Sequence, residues 1–410
     1  MRSFMINNKF ENIISQDCLK ALLKKVKKIA YRNTIKFQEY FPNVTADDGI
    51  YKYSNTFYDS WHGGWWTGIY YMAYEAFEDE KFRHYAENLT SRFYSLIKNN
   101  RIVHSEMGFI YLPICVPDIR INRSSEATET VILAAKYMLE AFGSFHGSGV
   151  MLNNSTYFHL SSEQLFQTST LINTYIMKLA AKINGNPEFT DMARFCDESV
   201  MKYNITGDGK CYMEVVVDKF GGNFRYMPDS CASYGFKDFG DYTRGYAWAT
   251  LGLALHYEAG TGNIYEEKFY DVITYFLNVS GDNLCVFVPG DENGKNIKDT
   301  TSLAIFVCAL CEIIKKLDTA HPRYDFYYNL LGKWFNVMIS YSIDPSSGKQ
   351  GFLDNGILLG GSAIDKNEIK NSCNVCGDYF YLEALMHMTD GFESCWNTEF
   401  LFEKRQEALA

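Results

Sequence analysis

Residues Trp61-His-Gly-Gly-Trp-Trp-Thr-Gly68 run without a break into Ile69-Tyr-Tyr-Met-Ala-Tyr-Glu-Ala76. Three indoles and three glycines crowd the first eight positions, and the next eight carry the apolar spacing of a buried helix. We read the first part as a sugar-facing loop at the mouth of a helical core. Indole faces cover the apolar face of a pyranose ring, and glycines let backbone and ligand approach closely. The alternative is a buried aromatic staple at a helix start. The whole chain leans the same way, with 30 Phe, 30 Tyr and 6 Trp among 410 residues.

Working outward, apolar residues recur at three- and four-residue spacing over 18–37, 66–77, 82–97, 126–142, 170–183, 189–203, 244–257, 265–277, 300–317, 324–343 and 379–388, and more weakly over 398–407. Only 211–217 and 284–288 read as short strands, the first as a hairpin arm before Gly221-Gly222. Tight connections at Glu78-Asp79-Glu80 and Asn184-Gly-Asn-Pro187 alternate with long aromatic loops near 101–123, 204–243 and 344–375. A dozen helices joined in this way fit an all-α fold, six helical hairpins closed into an (α/α)6 barrel. The long loops then collect on one rim and build a pocket there. No linker divides the chain, so residues 1–410 are read as one barrel domain. An open solenoid would show a fixed repeat of about 34 or 40 residues, and none is present.

Composition narrows the function. A net charge of −10, with no basic block longer than Lys24-Lys25-Val-Lys27-Lys28, argues against a nucleic-acid partner. No stretch approaches a membrane span or a signal peptide, so no membrane association is expected. Eleven cysteines scattered through helical patterns read as reduced core thiols of a cytoplasmic protein. Cys308/Cys311 lie within an apolar helix. Cys373/Cys376 precede one, but nothing supplies further ligands, so neither a metal nor another cofactor is expected.

Chemistry-bearing residues concentrate in four segments: the tryptophan loop, His104-Ser-Glu-Met-Gly-Phe109, Asp238-Phe-Gly-Asp-Tyr-Thr-Arg-Gly-Tyr-Ala-Trp248 and Gly377-Asp-Tyr-Phe-Tyr-Leu-Glu-Ala-Leu385. In this order they resemble the unsaturated glucuronyl hydrolases, glycoside hydrolase family 88. The family's Trp-x-x-Gly-x-Trp-x-Gly is matched by Trp61, Gly64, Trp66 and Gly68, and its His-Asp-Leu-Gly-Phe by the run ending at Phe109, with Glu106 in place of aspartate. Its Trp-Ala-Arg-Gly-Gln-Ala-Trp corresponds to Tyr242 through Trp248, so Tyr242 and Tyr246 depart from it. Asp299-Thr-Thr-Ser-Leu-Ala304 echoes its Asp-Ser-Ser-Ala. The resemblance covers roughly residues 55–390 and implies the same (α/α)6 barrel.

It also implies an activity: hydrolysis of unsaturated uronyl oligosaccharides left by polysaccharide lyases. Protonation of the C4=C5 vinyl ether at C4 is followed by water addition at C5, and the hemiketal opens and expels the aglycone. The family places its proton donor in Asp-x-Met-Met-Asn. Anchored on Asn173, that aspartate falls on Ser169, whose hydroxyl cannot protonate carbon at neutral pH. The family histidine on the following strand falls near Met213 or Glu214.

The catalytic candidates are therefore Glu106, the Ser169 position and Glu214, which could enter the pocket from its strand. Burial beside aromatics should raise the pKa of Glu106, although a turn-capping role is the plain alternative. Arg244 is the candidate clamp for a uronate carboxylate, or else a helix-start arginine bonding loop carbonyls. Trp61, Trp66, Trp248, Tyr242, Tyr246 and Asn173 complete the expected binding surface, with His62 and His104 placed to assist. Two other readings stay open: a non-catalytic sugar-binding relative, because of Ser169, and a different sugar reaction such as epimerisation, which would draw on His62 and His104.

Overall fold

A computed structural model of the chain describes residues 5–47, 49–54, 62–101, 106–143, 163–218, 224–226, 242–259, 264–281, 284, 298–342, 356–358, 361–365 and 368–398. Among the described residues its helices alternate in chain order between two rings. The outer ring comprises α1 (Gln16–Phe37), α3 (Glu80–Lys98), α5 (Ser125–Gly143), α8 (Pro187–Tyr203), α10 (Ile264–Ser280) and α12 (Tyr324–Ser340). The inner ring comprises α2 (His62–Phe77), α4 (Met107–Asn122), the split pair α6 (Thr170–Asn173) and α7 (Tyr175–Asn184), α9 (Thr243–His256), α11 (Thr300–Lys316) and α13 (Val375–His387). Each inner helix packs on the next, α2 on α4, α4 on α6 and α7, α6 on α9, α9 on α11, α11 on α13, and α13 back on α2. The ring is closed, as six hairpins require.

The two rings differ in sequence for a physical reason. Outer helices carry one apolar stripe: in α3 the buried positions are Phe82, Tyr85, Ala86, Leu89, Thr90, Phe93, Tyr94, Leu96 and Ile97, spaced at three and four. Inner helices have neighbours on every side, and each residue of α9 and of α13 is buried. The barrel axis is filled by a knot of rings in which Trp65 touches Phe109, Tyr379, Phe380 and Trp396, while Trp248 touches Phe109 and Phe380. Among the described residues no helix is long and apolar enough to cross a membrane.

The segment expected as a long loop near 101–123 is instead the inner helix α4 over most of its length. Pro113 and Pro117 hid it. Each proline deletes one backbone donor and disrupts the helical reading, and a helix that is apolar all round shows no stripe. Close packing against α2 and α5 holds it together nonetheless. The glycines of the opening motif serve this contact. The stretch from His62 onward is helix, not loop, and a Cβ at Gly64 would lie 2.6 Å from the Ile110 Cα and from the Phe109 and Ile110 carbonyl oxygens. Those are backbone atoms that cannot turn aside. Gly64→Ala should therefore cost about 1–3 kcal/mol of stability, the usual range for overpacking. An unchanged denaturation midpoint would show that α2 and α4 can separate freely.

Strands occupy the rim. β2 (Glu214–Asp218) pairs antiparallel with β3 (Phe224–Tyr226), the hairpin expected across Gly221-Gly222, and also with β1 (Glu163–Gln167), which the periodicity did not reveal. A second hairpin joins β4 (Gly361–Asp365) to β5 (Glu368–Ser372) within the segment expected as loop. Of the strand expected at 284–288 only Leu284 is described, as a buried turn residue. The weak helix at 398–407 lies outside the described residues beyond Thr398.

Candidate active site

Alternation of the rings makes all inner helices run the same way, so their N-termini gather on one rim. There the backbone N–H groups and the positive ends of the helix dipoles favour an anionic ligand. His62, Glu106, Ser169, Tyr242, Asp299 and Asn374 each stand at or next to such an end.

Glu106 is the N-cap residue of α4, but its side chain makes no capping hydrogen bond to the helix. Its carboxyl is enclosed by protein, although part of the residue remains open to solvent. Burial, and then the negative charge of Glu214, push it up to about 7. Two carboxyl groups thus lie within electrostatic reach, one from a helix end and one from a strand.

The strand is fixed by register. Gln167 stands directly opposite Glu214 in the β1–β2 ladder, and its Nε2 donates to Glu214 Oε1 at 2.6 Å. Burial raises the Glu214 carboxyl, and this hydrogen bond opposes the rise. The Thr168 amide donates to the Met213 carbonyl at 3.0 Å, carrying the pairing into the turn before α6. A Cβ at Gly245 would stand 2.9 Å from Met213 Cβ, so the start of α9 packs on the residue preceding Glu214.

Arg244 lies in the first turn of α9, its side chain 10% exposed, with Nη2 2.7 Å from Asp299 Oδ1. Burial opposes the charge of Arg244, but Asp299 together with the Tyr242 and Cys376 side chains outweighs it and the guanidinium stays protonated. Asp299 also accepts from Ser302 Oγ at 2.5 Å and caps α11. The Tyr242 ring lies 5.4 Å from the guanidinium carbon. Trp248 follows Arg244 by four residues on the same helix face, one turn deeper, where it forms part of the aromatic knot.

Several expected binding residues are placed elsewhere. Trp66 is 1% exposed, with its ring against Phe37, Tyr51 and Tyr70. It lies in the core between α2 and α1, which is the buried-staple arrangement. Tyr246 turns away from the axis and stacks on Tyr275 at an interplanar angle of 9°. Asn173 is fully buried, and its amide donates to the Ser169 carbonyl and accepts from the Phe109 amide, stitching α6 to α4. Ser169 is itself buried at the start of α6. His62 is buried too, donates to the Pro42 carbonyl, and is held neutral by burial, down to about 4. Trp61 and His104 lie outside the described residues. Gln167 and Asp299 were missed as site residues. Asp299 carried a signal, an Asp-x-x-Ser helix start, whereas Gln167 sat in an unrecognised strand.

A separate cavity of about 490 Å³ opens at the opposite end of the barrel, lined by Lys178, His256, Lys315 and Trp396 among others. Next to it the donor atoms of Cys308, Glu383 and His387 lie within 4.8 Å of one another. Lys315 Nζ donates to His387 Nδ1 at 2.8 Å, which leaves the ring proton on Nε2, facing Glu312 and Glu383. Burial raises the Glu383 carboxyl to about 8. Cys308 and Cys311 are free thiols buried in α11.

Fold and rim together define an α/α six-hairpin barrel with a carboxyl- and arginine-bearing mouth. No family model matches the chain. It is 26% identical over 385 residues to an unsaturated chondroitin disaccharide hydrolase of Streptococcus agalactiae, covering 91% of this chain and 92% of that protein. The crystal structure of unsaturated glucuronyl hydrolase from the same organism superposes with a TM-score of 0.82 at 23% identity, covering 97% of this chain and 99% of that one. A mutant of that enzyme complexed with dGlcA-GalNAc6S superposes with a TM-score of 0.75 at 22% identity, with coverage of 97% and 99%. The chain thus resembles the unsaturated glucuronyl hydrolases in sequence and shares their fold.

Proposed function

We propose that the protein is a glycoside hydrolase acting on unsaturated uronyl oligosaccharides by proton-initiated hydration of the C4=C5 vinyl ether. The observation that carries this reading is the Glu106 carboxyl at the inner-helix rim, poised near neutrality on the same mouth as the Arg244 guanidinium. Likeness to the chondroitin disaccharide hydrolase supports the substrate class.

The chemistry needs few groups. A protonated carboxyl delivers its proton to C4, the π electrons form the new C–H bond, and the ring oxygen shares the positive charge left at C5. Water adds to C5 and gives up a proton to a carboxylate. The hemiketal then opens, and the hemiacetal formed at C1 collapses to release the aglycone. Arg244 faces the uronate carboxylate, a pairing that orients the ring while the dipoles of the rim helices assist. No redox group enters this balance, since one water is consumed and every proton is returned.

The test follows the loss of ultraviolet absorbance from the conjugated double bond when purified protein meets sulfated and unsulfated unsaturated disaccharides. Because the donor must carry its proton, kcat should fall as pH rises through about 7. Absence of turnover with every such disaccharide, together with calorimetric binding of the same sugars, would instead establish a sugar-holding protein.

A further inference from the structure

We propose that Glu214 is the second catalytic carboxylate and that Gln167 is the positioning residue that holds it, the two together taking over the duty that Ser169 cannot perform. This deepens the hydrolase reading and rests on it.

Three observations converge. First, the position where the resemblance puts an aspartate holds a serine, buried at the start of α6 with no capping hydrogen bond from its side chain. Second, a carboxyl group enters the same mouth from β2, on a residue that is partly open to solvent and charge-coupled to Glu106. Third, that carboxyl is anchored rather than loose. Cross-strand register sets Gln167 against Glu214, and the 2.6 Å hydrogen bond takes one of its oxygens. The anchor has its own support, because Asn204 Nδ2 donates to the Phe166 carbonyl at 3.1 Å and to the Tyr212 carbonyl at 2.9 Å, tying β1 to the segment that leads into β2.

The division of labour follows from the donors. A neutral amide N–H favours the anionic form of Glu214, and the Glu214 charge in turn favours the protonated form of Glu106. Glu106 then gives its proton to C4, and Glu214 accepts a proton from the water that adds to C5. After aglycone release the proton passes from Glu214 back to Glu106, directly or through water, and the starting state is restored. Neither step needs a co-reactant other than water.

The experiment measures kcat, KM and the pH profile for native protein and for Glu214→Gln, Glu214→Asp, Gln167→Ala and the pair Glu214→Gln/Ser169→Asp, on an unsaturated chondroitin disaccharide. Glu214→Gln should lower kcat at least about a hundredfold with KM within a few-fold. Glu214→Asp, which keeps the charge but withdraws it by one methylene, should fall between the two. Gln167→Ala should lower kcat about tenfold and move the acidic limb of the profile to higher pH, because Glu214 then loses the donor that favours its anion. A purely structural glutamine would change stability and leave the limbs in place. The added aspartate should restore part of the loss in the pair.

Native turnover with Glu214→Gln within a few-fold of it overturns this proposal and leaves the hydrolase reading standing. A Gln167→Ala profile with unmoved limbs overturns the positioning role. Failure of the native protein to turn over any unsaturated disaccharide overturns the hydrolase reading, and this proposal with it.

Discussion

Glu106→Gln should reduce turnover of an unsaturated disaccharide by at least about a hundredfold, the lower end of what a general acid contributes. The substitution keeps the shape of the side chain and removes only the transferable proton. Its environment makes the prediction specific. Burial and the charge of Glu214 push the group up to about 7, so the native protein carries a transferable proton there near neutral pH. The residual activity of the variant should accordingly lose the fall in kcat across pH 7. Stability should move the other way. A carboxyl whose folded pKa lies above its ordinary value of 4.5 binds protons more tightly folded than unfolded. It therefore weakens the fold as pH rises from about 4.5 through 7, and the full cost applies above that. The neutral amide escapes the cost, so Glu106→Gln should melt no lower than native protein at pH 8 while being nearly inactive. Activity within a few-fold of native, or a lower melting temperature with unaltered kcat, would remove Glu106 from the chemistry.

How much of the fold was legible in the sequence depended on how much of each helix stays wet. Amphipathic stripes announce a helix with one wet side, so every outer helix was visible, α3 and α8 nearly to the residue. Helices α9, α11 and α13 were also found by apolar spacing at three and four residues, although they are buried on every side over most of their length. Helix α4 has neither a stripe nor an unbroken donor ladder, and it vanished behind Pro113 and Pro117. Strand β1 is five residues of no clear alternation whose partner lies some fifty residues away, and nothing local specifies such a pairing. The site divides along the same line. Glu106 and Arg244 sit beside glycines at helix starts, where local sequence dictates position. Gln167 matters only through register, which sequence does not display.

The opening motif gives a sharper lesson. Trp61, Trp66 and their glycines read as a ligand surface because indoles and glycines are common at sugar sites, yet Trp66 is core and the glycines admit a neighbouring helix. The same residue types answer two different demands for close approach. In a ring of inner helices the axis must be filled with large rings and the helix contacts must be thin, and a Trp-Gly-rich sequence satisfies both at once. Tyr246 shows the complementary case. Its neighbour two positions earlier faces the mouth, so on a helix it must face the outer ring.

Arg244→Ala should show two separable effects, because the proposed function gives this guanidinium a substrate carboxylate to hold in addition to its pairing with Asp299. In the resting protein it pairs with Asp299, whose side chain is fully buried, at 2.7 Å. Removing one member of a buried pair typically costs about 3–5 kcal/mol, mostly the penalty of the charge left behind. Asp299 keeps the Ser302 hydroxyl and its place at the N-terminus of α11, so the loss should fall near the lower end of that range. In the proposed function the same guanidinium pairs with the uronate carboxylate of bound substrate. Loss of that charge-assisted contact, worth about 1.5–3 kcal/mol, should raise KM about 10- to 150-fold with a smaller change in kcat. The double variant Arg244→Ala/Asp299→Ala separates the two. It removes the stranded carboxylate and should recover much of the melting temperature, although α11 loses its cap, whereas KM should stay high. Arg244→Lys keeps a charge but not the planar fork, and should lie between native and Arg244→Ala in KM. If the double variant regained native KM along with its stability, Arg244 would belong to the fold alone, and the substrate carboxylate would have to be held by another residue of the rim.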